Sequence, residues 1–244
     1  MARTVVVSGG GTGIGKAVAA RFAADGDRVV IIGRRADVLE TAAKELGGTA
    51  VQADLSEPAD VARVRTELAE RFGTIDVLVN NAGGNVERHP NDHGDDPGVA
   101  ERWTANFRAN VLTAVLPTEA LRDLLNPSGR VVFLTSIAAL RGSGGNSYGP
   151  MKAALHPYAF DLAAALGPRG VTVNVVAPGF VEDTEFFGGT MTDERRSMLV
   201  GQTHTGRAGT PRDVAETVHW LASPGAGHVT AQILQVNGGA EHGR

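Results

Sequence analysis

A chain of 244 residues, 42% hydrophobic and 20% charged, suits one packed core better than several. A net charge of −4 gives no electrostatic footprint for nucleic acid, and the absence of cysteine excludes disulfides, thiolate chemistry and cysteine-bound zinc. No run is long and apolar enough to span a membrane, and residues 1–8 do not read as a secretory signal, so the cytoplasm is the expected location.

Short β-branched runs alternate with longer alanine-rich stretches. Residues 5–8 predict a strand, 13–25 a helix and 28–32 a second strand. A helix over 37–46, a strand over 49–53, a helix over 57–72 and a strand over 76–80 follow. A polar segment, 84–99, precedes a mostly helical stretch over 103–125 that Pro117 should bend. Then come a strand over 130–135, a helix over 147–166 and a strand over 171–177. Residues 182–205 read as an irregular, partly helical insertion. Pro211 opens a helix to residue 221, and 232–236 closes the chain as a seventh strand. Short, nearly wholly apolar strands separated by helices predict a Rossmann-like, doubly wound parallel sheet in three α/β/α layers. With no linker or low-complexity tract, residues 1–244 are expected to form one domain.

The first loop is Ser8-Gly9-Gly10-Gly11-Thr12-Gly13-Ile14-Gly15, between the first strand and the first helix. Glycines let a backbone turn tightly and approach a pyrophosphate, and the helix N-terminus offers free N–H groups and a favourable dipole. This order of strand, loop and helix predicts dinucleotide binding. At the end of the second strand, where an NAD site carries a carboxylate for the ribose hydroxyls, stands Gly33-Arg34-Arg35. The arginine pair favours the 2′-phosphate of NADP(H), with NAD(H) as the alternative. Asp54 and Leu55 follow the third strand; Asp54 either meets the adenine or caps the next helix.

Further motifs fall in a fixed order: Asn80-Asn81-Ala82-Gly83, Asn110 seven residues after Trp103, Ser136, Tyr148-Gly149-Pro150-Met151-Lys152, Pro178-Gly179 and Val236-Asn237-Gly238-Gly239. Together with the glycine loop they resemble the short-chain dehydrogenase/reductase family over nearly the whole chain. The resemblance implies hydride transfer between a nicotinamide dinucleotide and a carbonyl or alcohol carbon. It implies a catalytic set of Asn110, Ser136, Tyr148 and Lys152, with Asn106 as the alternative to Asn110 and Thr135 as the alternative to Ser136. It further implies that Lys152 holds the nicotinamide ribose and that Asn110 keeps a water behind Lys152. Asn81, Ala82, Gly83, Pro178, Gly179, Val181 and Thr184 would complete the cofactor contacts. The family also implies a homotetramer or homodimer acting on a small carbonyl or alcohol substrate. Chemically, Tyr148 and Lys152 are four apart, so a helix puts them on one face. A neighbouring ammonium would lower the phenol pKa and ready Tyr148 for proton exchange.

Several features depart from that pattern. Ser136 and Tyr148 are one residue closer than usual, which places a deletion in 141–146. Pro150 is tolerable only in a first helical turn, capped near Asn146 or Ser147. Pro157 should kink the helix deeper in, and His156 reads as an interface or surface residue. Asp183 stands where the family has a threonine, so Thr184 reaches that place only by a one-residue insertion. His89 and His93, among Glu87, Asp92, Asp95 and Asp96, read as a solvated loop at the rim of the substrate cleft rather than as a metal site.

Residues 180–205 occupy the family's variable substrate lid. Phe180, Phe186, Phe187, Met191, Met198 and Leu199 could bury a non-polar substrate or simply pack the lid, and Gly188-Gly189 could let it move. The stretch His204–Gly209 is loosely similar to that of bacterial 3-oxoacyl-[acyl-carrier-protein] reductases. A non-catalytic dinucleotide-binding scaffold or sensor, and an NAD-linked alcohol or polyol dehydrogenase, are the competing readings.

Overall fold

A computed structural model describes residues 2–86, 97–144, 147–187 and 191–242. Seven strands form one sheet: β1 (Thr4–Ser8), β2 (Arg28–Gly33), β3 (Thr49–Gln52), β4 (Ile75–Asn80), β5 (Leu125–Leu134), β6 (Thr172–Pro178) and β7 (Ile233–Val236). Every pairing is parallel, in the order β3-β2-β1-β4-β5-β6-β7. The helices are α1 (Gly13–Ala24), α2 (Ala36–Leu46), α3 (Pro58–Phe72), α4 (Pro97–Phe107), α5 (Thr113–Leu121), α6 (Ala138–Arg141), α7 (Tyr148–Ala153), α8 (Leu155–Leu166), α9 (Asp193–Gly201) and α10 (Pro211–Leu221).

Alternate strand residues serve opposite faces of the sheet. Val6, Val30, Ile32, Val131, Phe133 and Val175 pack with Val64 of α3, Leu121 of α5 and Leu162 of α8. Val5, Val7, Val29, Ile31, Val132 and Val176 pack with Phe22 of α1, Leu39 of α2 and Val218 of α10. A sheet covered on both faces favours apolar side chains at most positions, which explains why these strands read as largely apolar runs. The order reverses between β1 and β4, and a crevice opens there at the carboxyl ends of the strands.

Three stretches differ from the sequence expectation. The helix predicted over 103–125 is interrupted by a π-helical turn at Arg108–Leu112, ahead of Pro117 rather than at it. Such turns widen a helix by one residue and re-aim its side chains. The helix predicted over 147–166 is split at Ala154 into α7 and α8. Pro157 has no N–H to give the carbonyl of Ala153, so one hydrogen bond is missing while Ala154 keeps helical angles (φ −57°, ψ −24°). The strand predicted from residue 130 begins at Leu125, with a register shift against β4 and Ser128 at φ +61°.

Candidate active site

The glycine loop is held from both sides. Ser8 Oγ accepts the N–H groups of Asn81 (3.0 Å) and Ala82 (2.9 Å), and Asn81 Nδ2 donates to the carbonyls of Ser8 (3.0 Å) and Gly9 (3.1 Å). Gly9 takes φ +64°, and a Cβ on Gly15 would stand 2.2 Å from the Gly9 carbonyl oxygen. The first turn of α1 therefore lies directly against the loop, at a distance only glycine permits. Thr12, the N-cap, makes no capping hydrogen bond with its side chain, so the leading N–H groups of α1 face the crevice.

These residues open onto a cleft of about 1070 Å³ that runs along the carboxyl edge of the sheet. Gly9, Gly11, Thr12, Gly13 and Ile14 line it, as do Arg34, Arg35, Asp54 and Leu55. Farther along stand Asn81, Ala82 and Gly83, then Ser136, Tyr148 and Lys152, then Pro178, Gly179, Val181 and Thr184. Ser8, Gly15 and Asn110 lie behind this surface and support it. The dimensions suit an elongated ligand, and the loop, uncapped helix end and arginine pair suit a dinucleotide with charge at two places.

Asp54 both lines the cleft and closes a turn. Burial raises its pKa, but bonds from Ser56 N (2.9 Å) and Oγ (2.7 Å) outweigh it, and the nearby Arg34 adds to the net lowering. Its own N–H goes to Asp60 Oδ2 at 2.7 Å.

Tyr148 is the first residue of α7 and Lys152 lies one turn on. Pro150 sits among the leading residues whose N–H groups have no partner in the helix; the first bond is Met151 N to Ser147 O at 3.0 Å. Tyr148 is hydrogen-bonded to Ser136. Thr135 Oγ1 instead donates to the Val176 carbonyl (3.4 Å) and lies 3.3 Å from His156 Nε2, which separates the two candidates. His156 is thus a correction to the sequence reading. It is buried, 9% exposed, because its face of α8 packs on the sheet.

The expected lowering of the Tyr148 pKa is also not what the structure has. Burial pushes Tyr148 up to about 12, against the opposing pull of the Ser136 bond. Burial likewise pushes Lys152 down to about 8, and its Nζ donates to the Leu134 carbonyl at 3.0 Å.

Asn110 lies in the π-helical turn. Its Oδ1 accepts from Gly84 N (3.0 Å), and its Nδ2 donates to Gly84 O (2.9 Å) and Asn106 O (3.1 Å). A Cβ on Gly83 would stand 2.7 Å from Asn110 Oδ1 and 2.9 Å from Lys152 Nζ, so the three crowd one point. Asn106 does not line the cleft: its Oδ1 accepts from Asn110 Nδ2 at 3.2 Å, and its Nδ2 donates to Ser147 Oγ at 2.9 Å beside the start of α7.

Asp183 takes φ +57°, and Thr184, not Asp183, lines the cleft. There its Cγ2 would lie 3.4 Å from a Cβ on Gly13. The ring of Phe186 lies 5.4 Å from that of Tyr148. Glu185, between them, bonds Arg35 Nη2 at 2.7 Å. Sequence reasoning passed over Glu185, although its position next to Thr184 was a signal. The acids and histidines over residues 87–96, the cap at Asn146 and the Gly188-Gly189 pair lie outside the described residues, as does the Phe187 side chain.

A family model described as enoyl-(acyl carrier protein) reductase matches residues 9–241. The chain is 31% identical to 3-oxoacyl-[acyl-carrier-protein] reductase FabG of Escherichia coli strain K12, covering 97% of this chain and 96% of that protein. It is 35% identical to the short-chain reductase protein NovJ of Streptomyces niveus, over 96% of this chain and 92% of that one. It is 34% identical to the (2S)-[(R)-hydroxy(phenyl)methyl]succinyl-CoA dehydrogenase subunit BbsD of Thauera aromatica, over 97% and 96%. Among solved structures, a short-chain dehydrogenase/reductase from Brucella melitensis superposes with a TM-score of 0.90 at 31% identity, covering 99% of this chain and 97% of that chain. One from Mycobacterium ulcerans gives 0.88 at 30%, covering 98% and 89%. The chain belongs to the short-chain dehydrogenase/reductase family of oxidoreductases.

Proposed function

We propose that this chain is an NADP(H)-dependent oxidoreductase. It reduces a carbonyl to a secondary alcohol, or runs the reverse, on a substrate of the 3-oxoacyl type. The observation that carries the reading is the buried Tyr148–Ser136 hydrogen bond at the end of a cleft that begins at the glycine loop and the arginine pair. The nicotinamide, when bound, donates or accepts the hydride.

The rest of the chemistry falls to the chain. Ser136 donates a hydrogen bond to the substrate oxygen and orients it beside Tyr148. Tyr148, held protonated well above neutral pH by its burial, gives its proton to that oxygen as negative charge develops there. Lys152 turns from the Leu134 carbonyl to the ribose hydroxyls. Asn110 fixes the backbone at Gly84 and keeps Gly83 clear for Lys152. A hydroxyl pair aimed at one oxygen favours a C=O substrate over the C=C bond that the matching family model names. Gly9, Thr12, Gly13 and Ile14 receive the pyrophosphate, Arg34 and Arg35 the 2′-phosphate, and Asp54 and Leu55 the adenine. Asn81, Ala82, Pro178, Gly179, Val181 and Thr184 flank the nicotinamide. We place residues 180–205 over the substrate as a lid within a single domain, and the working protein in the cytoplasm.

Titrating the purified chain with NADPH and NADH, following nicotinamide fluorescence, tests the cofactor reading. Tighter NADPH binding, followed by turnover in a panel of 3-oxoacyl thioesters and cyclic ketones, is the expected result. Tighter NADH binding moves the assignment to an NAD-linked alcohol or polyol dehydrogenase. Binding without turnover on any carbonyl or alcohol moves it to a cofactor-binding scaffold.

A further inference from the structure

The proposed cofactor cleft already holds an anion, and it belongs to the chain. Glu185 Oε2 accepts from Arg35 Nη2 at 2.7 Å, and Oε1 from Nη1 at 3.4 Å. Thr12 Oγ1 donates to the same carboxylate at 3.4 Å. Arg35 follows β2, and Thr12 stands immediately before the helix that faces the pyrophosphate position. Two groups suited to ligand phosphates thus converge on one carboxylate. A carboxylate and a phosphate monoester are both acceptor-only anions that fit the guanidinium fork, so they exclude each other at one arginine.

Glu185 is not a freely wandering surface side chain, because its neighbours are seated. Val181 bridges to Gly209, Thr184 lies against Gly13, and Phe186 lies against Tyr148. The segment therefore brings its carboxylate to Arg35 by construction.

We propose that Glu185 competes with the adenosine 2′-phosphate for Arg35 and so sets how strongly the chain discriminates NADPH from NADH. This rests on the NADP(H) reading above. NADPH must take Arg35 from Glu185. The ribose hydroxyl of NADH carries no charge and leaves the pair intact. Glu185 is thus a specificity-determining residue that acts against NADPH. Arg35 and Glu185 side chains are 56% and 61% exposed, so the competition is modest, about two- to fivefold in affinity.

The test compares dissociation constants for NADPH and NADH, by nicotinamide fluorescence, in wild type, Glu185→Gln, Arg35→Ala and the double variant. Both side chains are exposed, and thermal melts will verify that all four forms fold. Glu185→Gln should bind NADPH about two- to fivefold tighter, with NADH unchanged. Arg35→Ala should weaken NADPH at least about tenfold, as expected for loss of a charge-assisted contact, and Glu185→Gln should then add nothing. Unchanged or weaker NADPH binding in Glu185→Gln overturns the competition; weaker binding would mean that the carboxylate clasps the bound cofactor. An equal gain for NADH, or a gain that survives in Arg35→Ala, overturns it too. If Arg35→Ala leaves NADPH untouched, the NADP(H) reading of Arg35 falls and takes the competition with it. An intact Arg35 effect with a silent Glu185→Gln sinks the competition alone.

Discussion

Tyr148 and Lys152 are one helical turn apart, yet burial dominates both. The phenol is pushed up to about 12 and the ammonium down to about 8. The spacing was legible in the sequence because i and i+4 share a helix face. The direction of the shifts was not, because it depends on how deeply β5 and α7 enclose the pair. Lys152 carries a consequence for stability. Its folded pKa lies below the ordinary value of 10.5, so its burial penalty is fully present below about pH 8 and fades as pH rises to 10.5. Between about pH 8 and pH 10, ligand-free wild type should gain about 2 kcal/mol relative to Lys152→Met. Urea unfolding of both forms near pH 8 and near pH 10 checks this; a pH-independent difference would refute it.

At the scale of elements, the strand–glycine loop–helix unit was readable because each glycine answers a local geometric need. Gly15 is the sharpest case, since the atom a Cβ would meet is backbone, 2.2 Å away. Gly15→Ala should therefore push α1 off the loop and weaken dinucleotide binding more than about tenfold, in line with the cost of displacing a close backbone contact. Fluorescence titration would show it, and wild-type affinity in this variant would mean the loop is not the phosphate cradle. The π-helical turn at Arg108–Leu112 was not readable. Its cause is tertiary: Asn110 satisfies both backbone groups of Gly84, a contact 26 residues away that no local pattern encodes. Thr184 was readable only as an alternative to Asp183, because which of the two lines the cleft depends on the local backbone, where Asp183 takes φ +57°.

At the scale of the whole molecule, the sheet and its order follow from apolar strands alternating with helices and were legible in outline. The faces that the helices leave uncovered carry information the strands do not. Trp103 and Phe107 of α4, four residues apart, are 44% and 42% exposed, and Phe160 of α8 is 38% exposed. Large aromatic groups left in water favour association, and the expected assembly is a homodimer or homotetramer. Light scattering on a sizing column should give two or four times the 25.3 kDa chain mass, whereas a monomer at micromolar concentration would contradict it.

The central claim is that Tyr148 transfers the proton while the bound nicotinamide exchanges the hydride. Its most direct test is the rate of NADPH oxidation by wild type and Tyr148→Phe on one 3-oxoacyl thioester, with NADPH affinity measured in both. Tyr148→Phe should bind NADPH as wild type does and turn over about 10²- to 10⁴-fold more slowly, the usual contribution of a positioned acid. A variant that turns over as fast as wild type would contradict it.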